Sequence, residues 1–156
     1  MRFILLGLFL VCNLSVVAQS QNNQVEIITN STPFFDINSI ETLESAQTIS
    51  NCFTVRLRSK DNSCIIFAKY STNSYPAGFS PTTNPLSITF SSTNSTIYSQ
   101  LVTTPIVLTS TNQQLFKQQA QNSWYTYTYN LTYGPLGYNY LPGNYSYTIT
   151  FTMTQP

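Results

Sequence analysis

Residues 144–154 read NYSYTITFTMT, and their two-residue period decides the fold class. Tyr145, Tyr147, Ile149, Phe151 and Met153 fall on one face, and Ser146, Thr148, Thr150, Thr152 and Thr154 on the other. Strict alternation of apolar with small hydroxylated residues fits a pleated ribbon buried on one side. Leu141-Pro142-Gly143, just before it, supplies a turn. Residues 123–133, SWYTYTYNLTY, repeat the pattern: Tyr125, Tyr127, Tyr129, Leu131 and Tyr133 alternate with Trp124, Thr126, Thr128, Asn130 and Thr132. The first set reads as a core face, and Trp124 as an outward aromatic. With Gly134-Pro135 ending the run, the two segments are expected to be antiparallel neighbours joined by the loop 134–143.

The same period recurs upstream. Phe53, Val55 and Leu57 alternate with Thr54, Arg56 and Arg58. Residues 64–70 are apolar on both faces, as in a strand covered on both sides. Residues 86–91, 97–102 and 106–109 supply further short strands, and 25–28 with 34–37 a split first strand. Pro76, Gly78, Pro81 and Pro85 make 71–85 a loop. Helical spacing is weak throughout. Residues 111–122, TNQQLFKQQAQN, offer only Leu115, Phe116 and Ala120 as an apolar face and read as one short helix or a polar loop. Short strands with frequent turn residues and no intervening helices predict an all-β, two-sheet antiparallel sandwich of about seven to nine strands.

The amino-terminal residues 1–18 carry one cation, Arg2, then an apolar run, then Val16-Val17-Ala18. That is the layout of a cleavable export signal. Asn13 and Ser15 interrupt the run well short of the roughly 20 apolar residues of a spanning helix. The expected chain from Gln19 onward has no transmembrane span and works in the periplasm, at the cell surface or outside the cell. Residues 19–33 read as an amino-terminal segment, and 34–156 as one sandwich domain. From Gln19 on, Arg56, Arg58, Lys60, Lys69 and Lys117 balance Glu26, Asp36, Glu41, Glu44 and Asp61. A neutral chain lacks the basic surface that nucleic acid or anionic lipid demands, so neither is an expected partner.

Two cysteines remain, Cys52 and Cys64, and an oxidising destination suggests a disulfide. A tight turn at Asp61-Asn62 between straight strands would set them more than about 20 Å apart, beyond bridging reach. The bridge and the straight hairpin exclude each other, and the sequence leaves both open.

Histidine is absent from the chain, which removes the usual general base, the Ser-His and Cys-His pairs and most transition-metal sites. No catalytic residue, cofactor or metal site is expected. Asp36, Glu41 and Glu44 are better read as a solvated loop or single helical turn over 39–46 than as a glycosidase pair. Asn30, Asn94, Asn130 and Asn144 each open an Asn-x-Ser/Thr triplet, a pattern that chance supplies in so Asn- and Thr-rich a chain. The threonine rows at 126, 128, 132 and at 148–154 would form an ice-binding array only if they lay side by side.

The closing stretch LPGNYSYTITFTMTQP resembles the last strand of archaic chaperone-usher pilins of the spore-coat-U type, and TISNCFTVRLRS is similar to an earlier strand of those domains. The resemblance implies an immunoglobulin-like sandwich and association with identical or related subunits by β-strand addition. Val25 and Ile27 would then belong to the exchanged segment, although 19–24 are wholly polar where such a segment should be apolar. The ending YTITFTMTQP is also similar to WxL-type cell-wall-binding domains, but the only tryptophan is followed by Tyr125-Thr126 and no Trp-x-Leu motif occurs. Two functions are therefore expected to compete. One is a structural or adhesive, fimbria-like subunit, and the other a monomeric module binding glycan or cell wall through Trp124.

Overall fold

The computed structural model describes residues 23–77, 85–136, 138 and 143–155. The expected signal, 1–18, and half of the loop 134–143 lie outside them. Two antiparallel sheets form a sandwich. The strands are β1 (Asn23–Thr29), β2 (Gln47–Ser59), β3 (Cys64–Ser74), β4 (Leu86–Thr93), β5 (Tyr98–Ser99), β6 (Ile106–Val107), β7 (Gln113–Gln118), β8 (Gln121–Tyr133) and β9 (Ser146–Thr154). The larger sheet has the order β1-β2-β8-β4-β6, and the smaller β5-β7-β3-β9. The expected all-β sandwich of about seven to nine strands is what the described residues form, with nine.

From β2 to β9 each successive strand lies in the opposite sheet to the one before it. This corrects three local expectations. β8 and β9 are not neighbours: β8 pairs with β2 and β4, while β9 pairs with β3 from Ile65↔Thr154 to Ser74↔Ser146. The turn at Asp61-Asn62 closes no hairpin, because β2 and β3 belong to different sheets. Residues 113–118 of the expected helix or loop are strand β7, which buries Leu115 and Phe116 and pairs with β3. Alternation with a bulge at Ile66/Phe67 lets both apolar residues and Gln118 turn inward. Residues 34–37 form no strand, yet Phe35 and Ile37 still pack on the core.

The core gathers Val55 and Leu57 of β2, Ile66 and Ala68 of β3, Ile88 of β4, Leu115 and Phe116 of β7, and Tyr127, Tyr129 and Leu131 of β8. Phe116 stacks on Tyr127 at 3.7 Å between ring centroids, joining the two sheets at their middle. Residues 39–46 supply the expected helical turn, α1 (Ile40–Glu44), started by a capping box between Ser39 and Thr42. β1, expected in a segment ahead of the domain, is an edge strand of the larger sheet, with Val25 opposite Leu57 and Ile27 opposite Val55.

Candidate functional site

Because β8 sits between β2 and β4, the residues that alternate with its buried tyrosines form the outer face of the larger sheet. Glu26, Arg56 and Thr126 line up across β1, β2 and β8. Trp124 lies beside them, half-buried, with the Arg56 guanidinium 4.2 Å and that of Arg58 5.4 Å from its ring centre. Arg56 also donates to Glu26 at 3.1 Å, and Arg58 to the side-chain carbonyl of Gln24 at 3.3 Å. The indole expected as an outward contact is thus covered by guanidinium, an arrangement worth about 0.5–1 kcal/mol at an exposed site.

The threonine rows do not meet, since β8 and β9 belong to opposite sheets. Thr128 instead pairs with Thr54 at 3.1 Å, and Thr132 with Thr48 at 2.9 Å. Three of the four triplet asparagines brace backbone. Asn30 donates to the Asn51 carbonyl and the Thr54 hydroxyl, Asn130 accepts from the Asn51 amide, and Asn94 accepts from the Thr126 amide.

Cys52 and Cys64 are both free and fully buried. Cys52 points its thiol toward the Ser31 carbonyl. Cys64 begins β3 opposite Gln118 and contacts Ser59, seven residues along the chain from Cys52. Burial pushes both thiols up from their ordinary value, so neither is a poised nucleophile. Among the described residues no group of three His, Cys, Asp or Glu side chains could hold a metal ion, and no helix is long and apolar enough to cross a membrane.

The two sides of the sandwich differ. Phe53 of β2 lies 5.1 Å from Phe151 of β9, which places the edge strands β1 and β9 on the same side. Among the described residues, β1 pairs with β2 alone and β9 with β3 alone. Each presents a long outer edge, of seven and nine residues. On the other side the sheets end in β5 and β6, of two residues each. Val25, Ile27, Ile149, Phe151 and Met153 pack on the core but stay only partly covered.

At the end of the sandwich where β2 begins, Phe34, Phe35, Asp36, Gln47, Thr48 and Ile49 line an open recess of about 170 Å³. No protein-family model matches the chain, and no curated protein matches it.

Proposed function

We propose that the protein is an exported, non-enzymatic surface subunit that works by association, as a structural or adhesive member of a fimbria-like assembly. What supports this reading is the unequal closure of the sandwich. An open strand edge offers a row of backbone donors and acceptors to another strand, and proteins ordinarily shorten, charge or cover such edges. Here β5 and β6 follow that rule, whereas β1 and β9 are long and contain neither proline nor lysine. Half-covered apolar residues behind those edges give an added strand something to bury. Val25 and Ile27 occupy the protein's own sheet, so exchange of this segment requires its release from β2, whereas addition to β9 requires no release.

A glycan-binding module is the weaker reading, because Arg56 already lies over the indole face on which a sugar ring would stack. Absence of histidine supports the non-enzymatic part of the proposal.

Sedimentation velocity over a range of concentrations tests it, comparing the chain from Gln19 onward with one starting at Asn30. The longer chain is expected to form concentration-dependent oligomers, and the deletion to change their size. Thr150→Lys, on an exposed position of β9, puts a charge on the edge without removing a strand and is expected to reduce association. A protein that stays monomeric throughout, indifferent to both changes, overturns the proposal.

A further inference from the structure

The chain from Gln19 onward is formally neutral, but its charges are sorted by position. At the pole where β2 begins and β8 ends stand Asp36, Glu41 and Glu44, all exposed, with no lysine or arginine among the described residues there. At the opposite pole, where β2 meets β3 and β7 meets β8, stand Arg58, Lys60 and Lys117 against the single carboxylate of Asp61. Between them, Arg56 and Glu26 cancel and Lys69 remains. The 13 residues of β2, at about 3.3 Å each, put the poles about 40 Å apart. That is several times the Debye length of about 8 Å at physiological salt, so within one molecule the poles do not neutralise each other.

The acidic pole is also apolar. Phe34, Ile40 and Tyr138 are 68%, 65% and 70% exposed. Ile40 and Glu44 lie four apart on one side of α1, and the Tyr138 hydroxyl donates to Glu44 at 2.6 Å. Large side chains left this open next to carboxylates fit a contact surface better than a solvated end. The basic pole carries Tyr98, 43% exposed, as an apolar counterpart.

We infer that the acidic pole docks onto the basic pole of a second copy of this chain, giving head-to-tail contact. The inference rests on the proposal that the protein self-associates, and it adds which surfaces meet and in what direction. Unlike poles make a heterologous contact, and such a contact extends into filaments unless its rotation closes a ring. Asn23, the first described residue, lies opposite Ser59 at the basic pole, so in such a contact the start of β1 in each copy stands beside its neighbour's acidic pole.

Charge reversal in two variants tests this. Glu41→Lys with Glu44→Lys makes both poles basic, and Lys60→Glu with Lys117→Glu makes both acidic. Each variant alone, shown folded by circular dichroism, is expected to lose self-association at least about tenfold, and an equimolar mixture to recover it. Lys69→Glu, which changes charge away from both poles, is the control and should associate as the parent does. Phe34→Ser, neutral and exposed, should weaken association without altering the fold. If the reversed variants assemble like the parent, or the mixture recovers nothing, the pole contact is wrong while self-association by strand edges stands. If the parent stays monomeric at every salt and concentration, both readings fall together.

Discussion

Tyr129 occupies the centre of the larger sheet, between Phe53 and Phe90, with its hydroxyl buried and without a hydrogen-bond partner among the described residues. Tyr127, two residues away, donates to the Gln118 side chain at 2.7 Å. Leaving a hydroxyl unpaired in the core costs about 1–3 kcal/mol, so Tyr129→Phe is expected to stabilise the fold, by about 1 kcal/mol in chemical denaturation. A loss of stability would mean that the hydroxyl has a partner. The same two tyrosines set an alkaline limit. Burial, above all, pushes Tyr127 up to about 12, and burial with the nearby Tyr127 pushes Tyr129 higher still. In the unfolded chain both lose their protons near pH 10 while the folded chain keeps them. The folded state then holds more protons, so stability is fully present below pH 10 and falls as pH rises from there toward 12 and beyond. Tyr129→Phe should make that fall shallower. Thiol chemistry gives a separate check: Cys52 and Cys64 should resist a thiol reagent in the native protein and react together on unfolding, with no stability lost to reductant.

At the scale of elements, periodicity in the sequence located β2, β3, β4, β8 and β9 and separated the two faces of β2, β8 and β9, because alternation is a property of single strands; β3, expected to be covered on both sides, is fully buried on one face only, at Cys64, Ile66 and Ala68. It could not show which strands pair. Residues 123–133 and 144–154 look like a hairpin, yet Phe116 of one sheet stacks on Tyr127 of the other, and the core between them is what separates β8 from β9. Nor did composition reveal β7, whose Gln-rich sequence hides three buried positions, Leu115, Phe116 and Gln118, around a bulge. Another bulge, between Ile49 and Phe53 of β2, contains Asn51 at φ 50°. Its amide is held by Asn130 of β8 at 2.8 Å, its carbonyl by Asn30, and its side chain accepts from Ser91 of β4 at 2.7 Å. A triplet asparagine is therefore a strand brace. Asn130→Ala is expected to cost about 1–2 kcal/mol, read from the denaturation midpoint, whereas Asn144→Ala, exposed ahead of β9, should cost nothing measurable.

At the scale of the whole molecule, a sandwich in which successive strands change sheets has few local contacts to fold from. β9 must find β3 some eighty residues back, and β8 closes on β2 across a similar distance: the Thr48–Thr132 hydrogen bond spans 84 residues. Loop-closure entropy is spent before such pairings return anything, which places folding in the millisecond-to-second range typical of all-β domains. Trp124 is a built-in reporter, since its indole meets Arg56 and Arg58 only once β2 and β8 are in register. Stopped-flow refolding followed by its fluorescence should show no native-like signal in the first hundred microseconds or so, then a slow rise. Arg56→Ala, which frees one ring face, should change the amplitude of that rise while leaving its rate nearly unchanged, because an exposed cation–π contact contributes little to stability. A full native signal within the dead time would mean that β2 and β8 pair before the rest of the sandwich exists. The slow interval bears on association as well: until β9 docks on β3, the edge of β3 away from β7 and the apolar residues beneath it are open to another chain, so the strand that closes this edge is also the one whose own outer edge is left long.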